Sequence, residues 1–323
     1  MNRTNRNCRY SLLGCVMLAG TVASAQESWQ MPYTSAGQPD LQGHWTNSTV
    51  IPFERPETLA DKAFYTQEEA DALLQRALTP NETEFGTDAD VHYQFEDYGL
   101  ARSQNATAIN LRTSIITSPE NGRLPPLLPE AQQRMQQRLA YNREHSFDSA
   151  QDRSLSERCL IWSNEGPSII PLGYNSNYQI VQTPDHVVIL LEMIHDARII
   201  PLLDEAPASS TIAQWLGNSW GHWEGDTLIV ETTGFSGKAP SRGPNVPLDV
   251  HAKVIERITR TSATSLQYEF TLSDPTLWAQ PWSGEYPMLS IEGPMFEYAC
   301  HEGNYGMANN LSGARVTEQQ VKE

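Results

Sequence analysis

The sequence lacks several features that commonly reveal a protein's function. No apolar run beyond the N-terminus approaches the roughly 20 residues that a membrane-spanning helix needs. Neither a Gly-rich phosphate-binding loop nor a dinucleotide-binding fingerprint occurs, and short metal-ligand spacings such as His-x-x-x-His are missing. The sequence therefore favours neither a membrane-spanning protein nor a nucleotide-dependent enzyme, and we expect chemistry or binding without a cofactor.

Cysteine is also scarce, and two of the four cysteines lie in a candidate export signal. Three arginines precede an apolar run from Leu12 to Val22, which is followed by Ala23-Ser24-Ala25, the small-x-small pattern that signal peptidase accepts. Residues 1–25 are therefore predicted to be cleaved near Ala25, leaving a periplasmic or secreted protein. Cys15 admits a lipoprotein alternative, although it lies in the middle of the apolar run.

The mature chain keeps only Cys159 and Cys300. An oxidising compartment and an even count favour one long-range disulfide between them, which requires their Cα atoms to lie within about 7 Å. Two separate buried thiols are the alternative.

The sequence has few positively charged residues, 22 Lys and Arg against 39 Asp and Glu. Loss of the three arginines of the export signal would take the net charge from −17 to −20. Such a field repels polyanions at long range, which argues against nucleic acid and anionic membrane surfaces as partners. Neutral or cationic small molecules and glycans remain as expected ligands, and the charge equally serves to keep an exported protein soluble.

The residue pattern changes near residue 155. Residues 26–155 are predicted to form an N-terminal arm with a first strand and two covering helices. Thr66 and Glu69 have the spacing of a capping box for the first helix, and Pro129 suits the first turn of a second helix that continues to about His145. Residues 156–323 are predicted to form an antiparallel β domain.

Alternating apolar residues and turn signals predict three hairpins and a final strand in this β domain. The predicted strand pairs are 178–183 with 186–194, 219–223 with 227–232, and 251–260 with 265–272, followed by a strand at 295–302. Successive hairpins indicate a mainly β fold, either an antiparallel barrel or a closed meander, with the helices packed outside.

Several segments resemble a large family of secreted bacterial proteins, and Gly43-His44-Trp45 resembles the Gly-x-Trp that opens the first strand of lipocalin-like barrels. The resembling segments are Asp40–Trp45, Asn177–Asp185, Glu192–Arg198, Trp223–Leu228 and Ala299–Tyr305. The resemblance implies export and a lipocalin-like barrel in which Trp45 plugs one end. It implies no particular activity.

The most informative polar cluster is Glu192, His195, Asp196 and Arg198, which lies within an otherwise apolar stretch. Buried charges persist only with partners, so such a cluster marks either a reactive site or a structural ion pair. The functional interpretation is a histidine whose proton affinity neighbouring carboxylates set. The structural alternative is an ion pair of Arg198 with Asp196 or Glu192.

His301 and Glu302 follow Cys300, which would orient them if it forms the disulfide. The leading hypothesis is a cofactor-free lyase, isomerase or hydrolase acting on a small neutral sugar-derived or aromatic compound. His195 and His301 would act as acid and base beside Asp196 and Glu302. Arg198 would hold an oxyanion or carboxylate.

Four further residues are candidates for substrate binding, namely Trp278, Trp282, His251 and Glu269. The two tryptophans lie among prolines and suggest an aromatic loop, although core tryptophans are common. Glu269 equally suits a cross-strand pair with Arg257. A divalent metal held by His195, His251 and His301 is the runner-up for this chemistry.

Two other functions compete with catalysis: a lipocalin-like small-molecule binding protein, and a structural envelope protein without a sizeable cavity. Histidines and carboxylates converging in the largest cavity would favour catalysis, and an apolar cavity would favour binding.

Overall fold

The computed structural model describes residues 29–59, 61–78, 109–162, 166–167, 169–171, 175–207, 212–239 and 248–321. The predicted export signal lies outside these residues. Within them, no helix combines the length and the apolar character needed to cross a membrane.

Ten strands form one sheet. They are β1 Gly43–Thr46, β2 Ile116–Ser118, β3 Asn177–Gln182, β4 His186–Leu191, β5 Ala197–Pro201, β6 Asn218–Glu224, β7 Thr227–Thr233, β8 Lys253–Arg260, β9 Ser265–Ser273 and β10 Trp282–Ser290. The described residues also include three α-helices: α1 Gln67–Leu78, α2 Pro129–His145 and α3 Tyr305–Val321. Short 3-10 turns cover Glu57–Leu59, Ala150–Asp152 and Met193–His195.

The sheet is an antiparallel meander that nearly closes into a barrel. Nine strands follow one another in chain order, because β1 pairs with both β3 and β10, while β2 pairs only with β10. The last gap, between β5 and β6, is bridged where Leu203 N donates to Gly221 O at 2.9 Å. The prediction of a mainly β, antiparallel sheet is therefore confirmed, and the sheet nearly closes into a barrel. Among the described residues of the long segment between β1 and β3, only β2 joins the sheet.

Gly221 allows the two ends of the meander to meet. A Cβ at this position would lie 3.1 Å from the carbonyl oxygen of Ile229 and 3.2 Å from Cγ2 of Ile200. A side chain here would require these neighbours to move, so glycine favours the close approach of β5 to β6.

The core lies inside the barrel, and the alternation of residues along each strand builds it. On β9, Leu266, Tyr268, Phe270 and Leu272 are all buried, and the residues between them are partly exposed. Because successive side chains of a strand point to opposite faces, the apolar set faces the interior.

The three predicted hairpins are confirmed as β3–β4, β6–β7 and β8–β9. Gly225 in the β6–β7 turn has a φ of 58°, the left-handed conformation expected for a tight turn. The predicted strand at 295–302 is wrong, since these residues form irregular structure and turns. The last strand is β10 instead.

The sequence did not predict β10, because Pro281 and Pro287 favour a loop. On the side of β10 away from β9, β1 pairs with Leu289 and Ser290 and β2 pairs with Ser283 and Gly284, and no other described strand pairs there. Pro287 therefore lies in a stretch that has a sheet neighbour on one side only, where proline is tolerated.

Both predicted helices occur. The capping box of α1 is present, because Glu69 N donates to Thr66 Oγ1 at 3.3 Å and Thr66 N donates to Glu69 Oε2 at 2.8 Å. Helix α2 runs from Pro129 to His145, and its fully buried Ala131 belongs to the barrel core. Helix α3 was not predicted.

Trp45 of β1 is buried, with 1% of its surface exposed. Its indole Nε1 donates to Leu41 O at 3.0 Å, and the guanidinium of Arg260 lies 5.4 Å from the centre of the ring. These contacts fix the start of the meander. The lipocalin-like type of the barrel stays a prediction.

Candidate functional site

A cleft of about 930 Å³ opens beside the barrel. Its lining comes from residues 135–146 in and just after α2, from residues 151–162, and from Lys238 in the connection after β7. We refer to it as the α2 cleft. Apolar and aromatic side chains, among them Leu139, Tyr141 and Trp162, alternate there with charged ones.

Short-range hydrogen bonds shape the wall at residues 151–162. Ser149 caps the 3-10 turn by accepting from Gln151 N at 3.2 Å. Ser154 begins the next turn, where its hydroxyl accepts from Glu157 N at 3.2 Å and its own N donates to Glu157 Oε2 at 3.1 Å. Serine and acidic residues in this spacing satisfy the free backbone donors of a turn, so the wall has a defined local structure.

The predicted disulfide fixes this wall to the C-terminal segment. Cys159 and Cys300 are bonded, with their Cα atoms 5.6 Å apart, which confirms the prediction. Nearby, Asn304 Nδ2 donates to Glu157 O at 3.1 Å. The cleft wall is therefore covalently tied to a segment 141 residues away.

The barrel interior contains a buried ion pair. Arg198 on β5 donates to both carboxylate oxygens of Glu256 on β8, from Nη1 at 2.9 Å and from Nη2 at 2.6 Å. Their side chains are 6% and 1% exposed. Burial opposes the charge of the guanidinium, but attraction to Glu256 and the hydrogen bonds outweigh it, so the pKa of Arg198 is raised. Glu256, rather than Asp196 or Glu192, is thus its partner.

Tyr268 extends this network towards the segment at residue 169. Its hydroxyl donates to Glu256 Oε1 at 2.6 Å and accepts from Ile169 N at 2.9 Å, and Tyr286 OH donates to Ile169 O at 2.6 Å. Burial, with the negative charge of Glu256, raises the pKa of Tyr268 well above its ordinary value, so it stays a donor. Since Glu256 and Tyr268 are both 0% exposed, the network acts as an internal brace.

Ser219 lies at the edge of this brace, in a match to Gly-x-Ser-x-Gly that sequence reasoning missed, Gly217-Asn218-Ser219-Trp220-Gly221. A nucleophilic serine in this motif lies on a sharp strand-to-helix turn. Ser219 instead lies within β6, where its hydroxyl bonds Thr232 Oγ1 at 2.8 Å and accepts from Arg198 Nη2 at 3.3 Å. The spacing is therefore part of the sheet.

The turn between β4 and β5 carries backbone strain. Ile194 and His195 have φ angles of 59° and 57°, a left-handed conformation that is costly for a β-branched residue. Two contacts to the C-terminal segment hold the turn: buried Glu192 accepts from Phe296 N at 3.0 Å, and His195 Nδ1 accepts from Tyr298 N at 2.9 Å. The proton of neutral His195 therefore lies on Nε2.

His301 is only three residues beyond Tyr298, so its Cα lies within about 11 Å of the Tyr298 Cα. The structure thus brings the segment carrying His301 and Glu302 next to the His195 turn. His195, His301 and Glu302 are exposed, Asp196 is half-buried, and none of them lines the α2 cleft. Their acid–base role stays a prediction.

Comparison of the chain with models of known protein families, with curated proteins and with solved structures finds no match in any of the three.

The described residues include no group of three or more His, Cys, Asp or Glu side chains placed to hold a metal ion. His195, His251 and His301 are all described, so the structure does not assemble the runner-up metal site. His251 lies in an exposed turn before β8, where its N donates to Asp249 Oδ1 at 2.7 Å.

The remaining candidates from the sequence, Trp278, Trp282 and Glu269, pack in the core or form an ion pair. Trp278 and Trp282 are 2% and 0% exposed in the core, with ring centres 5.9 Å apart, and Trp282 begins β10 instead of lying in a loop. Glu269 Oε2 lies 3.7 Å from Arg257 Nε, which confirms the cross-strand pair.

Sequence reasoning missed the α2 cleft. The available signal was a local excess of one residue type, since five arginines fall within 25 positions of an acidic chain: Arg134, Arg138, Arg143, Arg153 and Arg158. Nothing in their spacing shows that a helix and a following segment face each other.

Proposed function

We propose that this chain is an exported small-molecule binding protein whose ligand occupies the α2 cleft. The observation that carries the proposal is the cleft itself. About 930 Å³ lies within the range of pockets that hold drug-sized ligands, and the lining combines apolar and aromatic side chains with charged ones. The disulfide, together with the lack of a membrane-spanning helix among the described residues, is compatible with export.

The position of the cleft supports binding outside the barrel. The side chains of Tyr268 and Tyr286 occupy the interior together with Ile169, and all three are at most 1% exposed. The barrel would then serve as a scaffold that holds α2 through the buried Ala131. This arrangement differs from a lipocalin-like protein that binds its ligand in the barrel interior.

The proposal predicts that a bulky side chain in the cleft blocks binding. The purified mature chain would first be screened by thermal shift against neutral and charged aromatic and sugar-derived compounds. Hits would then be titrated by calorimetry into Asn142→Trp, which fills the cleft, and into Gln136→Trp, an exposed position on the same helix that does not line it. We expect Asn142→Trp to abolish binding and Gln136→Trp to preserve it.

Equal binding by both variants would place the ligand elsewhere and refute the proposal. Absence of any hit across all compound classes would also count against a binding function.

The second candidate function is the cofactor-free lyase, isomerase or hydrolase expected from the sequence. The observation that favours it is the left-handed backbone at Ile194 and His195, because strained backbone is often found at active sites and Nε2 of His195 is the nitrogen left to exchange a proton. Catalysis requires His195→Ala and His301→Ala each to remove turnover of a substrate while the protein stays folded. A purely structural His195 would instead lower the melting temperature and leave ligand binding intact.

A further inference from the structure

We infer that the ligand of the α2 cleft is an organic anion, a carboxylate carried by an aromatic ring. This inference rests on the proposed function and adds the chemical class of the ligand. Six charged side chains line the cleft, in a chain whose net charge is −17. They are four cations, Arg138, Arg153, Arg158 and Lys238, and two carboxylates, Asp152 and Glu157.

Both carboxylates already have partners within the wall. Asp152 accepts from Ser149 Oγ at 2.5 Å and from Tyr141 OH at 3.2 Å. Glu157 accepts from the hydroxyl of Ser154 at 2.8 Å and pairs with Arg153 at 2.5 Å. Glu157 is therefore neutralised by Arg153, whereas Asp152 has only neutral hydroxyl donors among the described residues and keeps its negative charge.

The four cations differ in whether a carboxylate pairs with them. Arg153 is engaged by Glu157, and its guanidinium lies 4.4 Å from the ring centre of Phe147. Arg138, Arg158 and Lys238 have no carboxylate within 4.0 Å in the part of the chain that the structure describes. These three cations come from α2, from the wall at 151–162 and from the β7 connection. Three such cations against the one un-neutralised carboxylate, Asp152, leave the cleft with an excess of positive charge, which an oxyanion would reduce.

The shape and polarity of the lining indicate the rest of the ligand. Tyr141 and Trp162 provide aromatic surface, and Leu139 provides apolar surface, beside the guanidinium groups. Aromatic rings stack on such surfaces, and a guanidinium binds a carboxylate through two parallel hydrogen bonds. A ring that carries a carboxylate uses both features at once.

Net charge alone gives the opposite expectation, a neutral or cationic ligand. Charges separated by more than about 8 Å are largely screened at physiological ionic strength. The acidic surface therefore acts mainly on the approach of a ligand, and the nearby guanidinium groups decide what is bound.

The test compares ligands that differ only in charge. We would titrate 4-hydroxybenzoate and its neutral isostere 4-hydroxybenzamide by calorimetry, with galacturonate and galactose as a pair without an aromatic ring. Arg138→Gln and Arg158→Gln remove one cation each, and Arg143→Gln on α2 is the matched control because it does not line the cleft. Circular dichroism would verify that every variant is folded.

We expect the benzoate to bind at least about tenfold more tightly than the amide, since hydrogen bonds to charged groups are the strong ones. Each cleft variant should weaken benzoate binding by about tenfold and leave the amide unchanged, and Arg143→Gln should leave both unchanged. Raising the salt concentration should weaken the binding of the anionic ligands and leave the binding of the neutral ones unchanged.

The other outcomes separate the two proposals. Equal binding of benzoate and benzamide, blocked by Asn142→Trp, would overturn the anion and leave the binding function standing. If galacturonate binds and benzoate does not, the inference that the ligand carries an aromatic ring is wrong, and the inference that it carries a carboxylate stands. If no anion binds while a neutral compound from the screen does, the inference fails, and if nothing binds, both proposals fail.

Discussion

Replacing Glu256 with methionine should destabilise the protein by about 3–5 kcal/mol, the usual penalty for removing one partner of a buried ion pair. Arg198 would then keep only the hydroxyl of Ser219 at 3.3 Å, because its Nε already has no partner. A guanidinium cannot lose its proton, so the buried charge remains. Against a typical total stability of about 5–15 kcal/mol, this is a large fraction.

The reverse substitution, Arg198→Met, should cost less than Glu256→Met. The carboxylate keeps the hydroxyl of Tyr268 at 2.6 Å and, unlike a guanidinium, can become neutral by taking up a proton. The double variant Arg198→Met/Glu256→Met removes both charges, so its destabilisation should fall short of the sum of the single variants by about 3 kcal/mol.

Urea unfolding followed by circular dichroism measures these differences, with the m-value as a check on two-state behaviour. Arg257→Met is the matched control, because its partners Glu224 and Glu269, 3.0 Å and 3.7 Å away, are exposed, and exposed pairs contribute at most about 1 kcal/mol each. Additive effects of the two single substitutions, or an effect of Glu256→Met no larger than that of Arg257→Met, would refute the buried brace.

Three further changes test other parts of the structure. Replacing Cys159 and Cys300 with alanine should lower the unfolding free energy by about 2–5 kcal/mol, and reduction of the wild type should have the same effect, because the bond closes a long loop. Thr66→Ala removes the cap of α1 and should cost about 1 kcal/mol, whereas an effect near zero would contradict the capping box. The hydrogen bond from Ser149 lowers the pKa of Asp152 below its value of about 3.9 in the unfolded chain, so the stability it supplies is full above that pH and is lost on further acidification. Asp152→Asn should therefore be less stable than the wild type at pH 6 and equal to it near pH 2, and a constant difference between the two would contradict this assignment.

Short sequence patterns correctly predicted the hairpins and the start of α1, because neighbouring residues determine both. The hairpins follow from alternating residues and short turns, and the cap of α1 follows from Thr66 and Glu69, which lie three positions apart. The disulfide followed from elimination, since only two cysteines remain after the predicted cleavage. Pro281, just before β10, and Pro287 within it wrongly indicated a loop, because a strand edge without a neighbour tolerates proline.

The site depends on contacts that no short window contains. Glu256 reaches Arg198 across 58 residues, and the disulfide that ties the cleft wall spans 141. The described positions of helix α3 include no buried one, and its half-buried positions, Met307, Leu311 and Ala314, form a weak apolar pattern that Gly313 interrupts. Its arrangement against residues 147–148, through Arg315, is a tertiary contact rather than a local preference.

The location of the ligand is the central claim, and anomalous diffraction from a crystal of the mature chain soaked with 4-bromobenzoate tests it most directly. We predict a bromine peak between α2 and residues 151–162, close to Tyr141 and Trp162. A bromine peak in the barrel interior or beside the His195 turn, or no peak at saturating concentration, would contradict the account.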